Sequence, residues 1–181
     1  MLDRRDLRRS TDRLLVGVEM IDALVSMIEG SAINNMILSS QWLWPSLEIV
    51  HFIGLSLLLG SMLVVDLRLA GLLRQIDIRS IHSMLPWASL GFLLNLVSGT
   101  LFLLGDPARY AVNIGFQLKM ILVLIAGLNA IWFIWKLNPQ IVDWEPHADT
   151  PSAAKAVAIV SLGAWFGVLL LGRLIPYIGS G

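Results

Sequence analysis

The sequence predicts an all-α polytopic membrane protein, a bundle of four transmembrane helices preceded by an N-terminal amphipathic interfacial helix. Hydrophobic residues make up 56% of the 181-residue chain and charged residues 14%, whereas soluble domains contain about 25% charged residues. The mean hydropathy is +0.76, and four apolar segments reach the ~20 residues that a membrane span needs. We therefore expect one membrane-embedded bundle without a separate soluble domain.

Residues 1–40 form the first predicted region, which is basic and amphipathic rather than uniformly apolar. Within residues 10–29, apolar side chains recur at helical spacing, namely Leu14, Val18, Ile21, Val25 and Ile28. Because the acids Glu19, Asp22 and Glu29 interrupt this run, it predicts a helix lying in the membrane interface rather than a fifth span. No continuous apolar core follows the charged start, so a cleaved signal peptide is not expected.

The second predicted region, residues 41–181, is the four-helix transmembrane domain. Its spans cover about residues 45–73, 84–104, 112–135 and 153–177. Turn-forming sequences separate them, namely 74-RQIDIRS-80, 105-GDPAR-109 and 137-LNPQIVDWEPHADTP-151. Pro45 and Pro86 suit the first turn of a helix, where the missing N–H costs no hydrogen bond.

Composition excludes several classes of function. The chain has no cysteine, so disulfides, iron–sulfur clusters, thiolate zinc sites and thiol catalysis are excluded. The formal net charge is zero, and no nucleic-acid partner is expected.

Basic residues near the span ends predict the orientation. We call the end of the bundle where the first span begins side A, and the opposite end side B. Arg68, Arg74, Arg79, Lys136 and Lys155 lie on side B, whereas Arg109 is the basic residue of the loop on side A. By the positive-inside rule, side B is cytoplasmic. Loops 74–83 and 136–153 would then face the cytoplasm of a bacterium whose inner membrane holds the protein.

Four ionisable residues are predicted to converge within the membrane near side A. Glu48 and His51 lie in the first span, Lys119 in the third and Arg173 in the fourth. Charged groups are rare in hydrocarbon and usually face a bundle interior, so these four form a candidate polar site. A structural reading remains open, in which Glu48 pairs with Lys119 or Arg173 and fixes the helix register. For Asp66, an ion pair with Arg68 or Arg74 at headgroup level is expected.

The run 42-WLWPSLEIVHFIGLSLLLGSMLVVDLRLAGLL-73 resembles the signature of a family of small uncharacterised bacterial four-helix inner-membrane proteins. In that family a W-x-x-P-x-x-E-x-x-H opening leads to a D-L-R-L segment. Further matches are 85-LPWASLGF-92, 98-SGTLF-102, 115-GFQLKMILVLIAGLNA-130 and 161-SLGAWFGVLLLGRLIPY-177. The architecture is also distantly similar to that of the four-helix cytochrome b superfamily and the copper-resistance D-type membrane proteins.

The cytochrome resemblance implies a b-type haem with His51 as its metal ligand and with Lys119 and Arg173 facing the propionates. In the cytochromes, histidines on facing helices clamp the haem. Here His51 and His82 are ~30 Å apart along the membrane normal, and His147 is in a side B loop. A bis-histidine haem within this chain is therefore not expected, and the sixth ligand would be water, Met, a partner's residue or none.

Four functions remain open. The leading hypothesis is a redox membrane subunit, an electron-transfer protein with no enzymatic activity of its own, that binds haem b or a quinone. In the quinone version Glu48 and His51 exchange protons, and Lys119 or Arg173 bonds a carbonyl. The alternatives are transport of ions, protons or copper, and a structural anchor or assembly partner with buried ion pairs. Expected partners are membrane lipid and either a redox protein or a second copy of the chain.

Overall fold

A computed structural model describes residues 16–17, 19–145 and 149–178. Six α-helices follow a helical N-terminal segment (residues 16–17 and 19–28). They are α1 (Ala32–Ser39), α2 (Leu43–Leu69), α3 (Leu85–Gly105), α4 (Pro107–Ala111), α5 (Ile114–Trp132) and α6 (Ser152–Leu174). The start of the predicted interfacial helix, residues 10–15, lies outside the described residues, and its position at an interface stays a prediction.

Four of the helices, α2, α3, α5 and α6, are long and apolar enough to cross a membrane. The prediction of an all-α polytopic bundle is thereby confirmed, and the protein is an integral membrane protein. Much of the span surface is exposed, including Leu124 and Leu128 of α5 and Phe166 and Leu170 of α6. We expect such apolar surface to contact lipid acyl chains.

The first span ends four residues earlier than predicted, at Leu69 instead of residue 73. Gly71 adopts a φ of +87°, and the N–H of Leu72 donates to the carbonyl of Leu67 at 3.0 Å. This is the Schellman arrangement that ends many helices, and its left-handed residue is usually glycine. The apolar run continues to residue 73, although the helix ends at Leu69.

The third span changes conformation near its predicted end. Its α-helix stops at Trp132, continues as a π-helical turn over Phe133–Leu137, and then becomes a 3₁₀ helix over Asn138–Asp143. Pro139 has no N–H to donate to the preceding turn, so a regular α-helix does not continue through it. The 3₁₀ helix Ile78–Ser83 similarly precedes α3.

The spans associate as two antiparallel pairs, α2 with α3 and α5 with α6, and the pairs meet mainly where α2 contacts α6. Helices α3 and α5, both fully described, have no substantial contact with each other. The closest backbone approach in the first pair involves two glycines. A Cβ built on Gly91 would lie 2.6 Å from the carbonyl oxygen of Gly54, and small residues permit such close packing of membrane helices.

The largest apolar core lies near side B. It comprises Val65, Leu69, Ile78, Ile81, Phe133, Leu137, Ile141, Ala154, Val157 and Ala158. These residues come from α2 and α6, from the 3₁₀ helix before α3, and from the π-helical and 3₁₀ turns after α5. The core therefore fixes the side B end of the bundle.

Candidate functional site

His51 lies on the face of α2 that packs against α3. Its Nδ1 is 2.8 Å from the hydroxyl oxygen of Ser98, which is fully buried. That hydroxyl donates its single hydrogen to the carbonyl of Leu94 at 2.6 Å, so it can only accept from His51. In this arrangement Nδ1 carries the ring proton and the lone pair is on Nε2.

An aromatic neighbour fixes the imidazole ring further. The rings of His51 and Phe102 meet edge to face, with their centroids 5.5 Å apart, and Phe102 in turn contacts Trp44 at 5.2 Å. Gly99 keeps this side of the ring uncrowded, because even an added Cβ there would lie 3.9 Å from Cε1 of His51. Two residues of α3 therefore hold the imidazole ring, Ser98 at Nδ1 and Phe102 by an edge-to-face contact.

Lys119 belongs to the other helix pair. It lies on α5 and extends along α6, where a Cβ built on Gly172 would be 3.5 Å from Nζ. Among the residues that the structure describes, no hydrogen bond or ion pair engages this Nζ. His51 and Lys119 thus belong to different helix pairs.

The other two predicted site residues lie at the surface of the protein. Glu48 is exposed, and its Oε1 accepts a hydrogen bond of 3.1 Å from Nε1 of Trp44. Arg173 is also exposed, and its guanidinium lies 5.5 Å from the centroid of the Tyr177 ring. Within the described part of the chain, no ion pair joins Glu48 to Lys119 or Arg173. The structure leaves His51 and Lys119 partly buried and Glu48 and Arg173 exposed, and ligand binding by all four residues stays a prediction.

Near side B, Arg68 contacts other groups than Asp66, its expected partner. It is fully buried, and its Nε donates to the carbonyl of Ile76 at 2.6 Å. A second donor, Nη1, is 3.4 Å from the hydroxyl oxygen of Thr150. Arg68 therefore ties the loop after α2 to the residues that precede α6.

Arg74 pairs with Asp149 rather than with Asp66. Its Nη2 lies 3.1 Å from Oδ1 of Asp149, and Nζ of Lys155 approaches the same oxygen at 2.9 Å. The hydrogen bond from Lys155, supported by the Thr150 N–H, holds the pKa of Asp149 below its usual value. These residues form an exposed ion-pair group at the start of α6.

The predicted ion pair of Asp66 with Arg68 or Arg74 is wrong, since no ion pair engages Asp66 among the described residues. Only 2% of its surface is exposed, and its Oδ2 has no hydrogen-bond partner among the described residues. Ser161 of α6 lies beside the carboxyl group. The sequence indicated that Asp66 is unusual, because it lies in an otherwise apolar helical stretch. Periodicity, however, does not identify the neighbouring helix that Asp66 faces.

The residues at His51 fit a haem incompletely. Nε2 is available as one axial ligand, and a hydroxyl on Nδ1 is the kind of contact that orients ligating histidines. His82, however, lies in the 3₁₀ helix Ile78–Ser83, beyond the opposite end of α2. In the described part of the chain, no group of three or more His, Cys, Asp or Glu residues could hold a metal ion. His51 would therefore be the single histidine ligand at this level.

No protein-family model matches this chain, no curated protein is significantly similar to it, and no solved structure matches it. The resemblance to the small inner-membrane family and to the cytochromes stays a prediction.

Proposed function

We propose that this integral membrane protein binds a membrane quinone between its two helix pairs, in the half of the bundle nearer side A, and serves there as the membrane subunit of a redox system. The proposal is supported by two polar atoms that no described residue engages, Nε2 of His51 on α2 and Nζ of Lys119 on α5, in different helix pairs. Both side chains are partly buried.

These two groups match the chemistry of a quinone head. The ammonium of Lys119 is a donor for a carbonyl oxygen, and Nε2 of His51 is an acceptor for the hydroxyl of the reduced form. A bound quinone supplies two-electron, two-proton chemistry. The protein's part is to orient the head and to provide a place for a proton at Nε2, while Ser98 keeps Nδ1 protonated.

Access from the membrane also favours a lipid-soluble ligand. Because α3 and α5 have no substantial contact, we expect a lipid-soluble ligand to enter between these two helices. A haem held by His51 alone is the second candidate, supported by the free Nε2. Transport and a purely structural role have no comparable contact in their favour.

The test is quinone extraction from the full-length protein, purified in mild detergent from membranes of known quinone content. We expect close to one quinone per chain by chromatography and mass spectrometry. His51→Ala and Lys119→Met should each lower this occupancy at least tenfold. His82→Ala and Lys136→Met, which remove the same side chains elsewhere, should leave it unchanged.

Folded protein that carries no quinone, or equal occupancy in all four variants, would overturn the proposal. A haem spectrum that disappears in His51→Ala would favour the second candidate instead. With neither ligand present, the structural anchor becomes the best reading.

A further inference from the structure

A second site lies between α2 and α6, away from the junction residues His51 and Lys119. It is a cavity of about 220 Å³. Its lining is apolar except for one carboxyl group, and comprises Leu59, Gly60, Met62, Leu63, Asp66, Leu162, Trp165, Phe166 and Leu169. Asp66 and His51 are separated by ~22 Å along α2, so the two sites are distinct.

Asp66 forms the closed side of this cavity. It is 98% buried and its Oδ2 lacks a hydrogen-bond partner in the described part of the chain. No ion pair to it occurs there either, since Arg68 is directed to Ile76 and Thr150. Ser161 lies beside the carboxyl group but carries no charge. A buried carboxylate without a cation is costly, and a ligand that brings a positive charge would relieve that cost.

The open side of the cavity faces the membrane. Leu63, Phe166 and Leu169 line it and are 41%, 61% and 38% exposed. A ligand that enters between them must be soluble in hydrocarbon. Trp165, farther inside, adds an aromatic ring to the lining, and such rings attract organic cations.

We propose that this cavity binds a small lipophilic amine, with its ammonium group on Asp66 and its apolar part between α2 and α6. The volume corresponds to about seven water molecules at ~30 Å³ each, enough for an ammonium head and the first carbons of a chain. The remainder of a longer chain would extend past Leu63 and Phe166 into the lipid. This inference does not depend on quinone binding, because it rests on other residues.

Gly60 permits a test that leaves the carboxyl group intact. A Cβ built on this residue meets no atom within 4 Å, although the residue lines the cavity. Gly60→Leu therefore adds an apolar side chain to the cavity lining, and its Cβ has room. Gly127 of α5 has equally open surroundings and lies outside the cavity, so Gly127→Leu is the matched control.

The measurement is saturable binding of tritiated decylamine to the full-length protein in detergent, by scintillation proximity. We expect one site per chain, at least tenfold weaker in Asp66→Asn and in Gly60→Leu, and unchanged in Gly127→Leu. Glu29→Gln removes a carboxylate from the N-terminal segment and controls for net charge. Decanol, which has the same chain without the amine, should compete at least tenfold less well.

Equal binding by Asp66→Asn, full binding by Gly60→Leu, or equal competition by decanol would each overturn the proposal. Absence of saturable binding to the wild-type protein would do the same. If Asp66→Asn fails to fold, Gly60→Leu decides, because its carboxyl group is unchanged.

Discussion

The two ends of the bundle are held together in different ways. Near side B, ten apolar residues form the largest core and a fully buried arginine joins two loops. Near side A, the buried connections are amides: Asn34 donates to the carbonyl of Leu104 at 2.8 Å, and Asn113 to that of Ile175 at 3.0 Å. The group with unused polar atoms, His51 and Lys119, lies nearer this second end. The proposed quinone site therefore lies toward the end held by amide hydrogen bonds, and the proposed amine site lies beside the apolar core.

The largest effect on stability is expected from Arg68→Met. Loss of the two side-chain hydrogen bonds leaves the Ile76 carbonyl and the Thr150 hydroxyl without their buried donor. Breaking charged, buried hydrogen bonds should lower the free energy of unfolding by about 3 kcal/mol. Thermal unfolding in detergent, followed by circular dichroism, measures the change. Arg109→Met, at an exposed arginine near side A, is the control, and an equal loss there would remove the contrast between the ends.

Gly91→Ala is expected to have the next largest effect. Its Cβ would lie 2.5 Å from the backbone nitrogen of Leu58, so α2 and α3 must move apart. Overpacking of this kind costs about 1–3 kcal/mol, and the same unfolding measurement detects it. Gly163→Ala, where a Cβ meets no atom within 4 Å, should instead be neutral or stabilising. Similar losses in both variants would show that close approach is not the cause.

Lys119→Met should raise stability while it lowers quinone occupancy. The substitution keeps the length of the side chain and removes a cation that no described residue neutralises. Sites kept for function are often strained, and relieving them commonly adds about 1 kcal/mol. A lower unfolding temperature in Lys119→Met would mean that the lysine stabilises the fold, which would contradict this prediction.

The smallest effect concerns pH and Asp149. Because Lys155 and Arg74 keep its pKa below the usual value, folding favours the ionised form. This contribution is complete above the ordinary aspartate pKa of about 3.9 and is lost as pH falls through the lower folded value. Unfolding temperatures at pH 7 and pH 3 should therefore differ less in Asp149→Asn than in the wild-type protein. An unchanged difference would mean that other carboxyl groups account for the acid sensitivity.

Hydropathy predicted the four spans because membrane burial requires a long apolar run, whatever the neighbours are. The predicted ends of the spans were less accurate, because helices also end at local features that hydropathy does not register. Here these are the left-handed conformation of Gly71 and the missing N–H of Pro139. Helical spacing predicted that both His51 and Glu48 face the bundle interior, and this is wrong for Glu48, which is exposed. The two differ by about 60° around the helix axis, which is enough to leave Glu48 exposed while His51 contacts α3.

The surroundings of Asp66 required knowledge of which helices touch. Periodicity gives the face of α2 that this residue occupies, but not that Ser161 and Trp165 of α6 lie opposite it. Nor does it reveal that Arg68, two residues away, is directed to a loop. The depth of a residue and the helix face that it occupies follow from the sequence of one helix alone. The residues that it contacts on other helices depend on how the helix pairs dock.

The arrangement of the spans as two pairs has a consequence for biogenesis. The contacts between α2 and α3, including the crossing at Gly54 and Gly91, require nothing from α5 or α6. This hairpin has its interface as soon as both of its helices have left the ribosome and entered the bilayer. Helices α5 and α6 form a second hairpin, which docks mainly through α2 and α6. We therefore expect assembly to end with one encounter between two preformed hairpins, which brings together α2 and α6, the helices that line the cavity at Asp66.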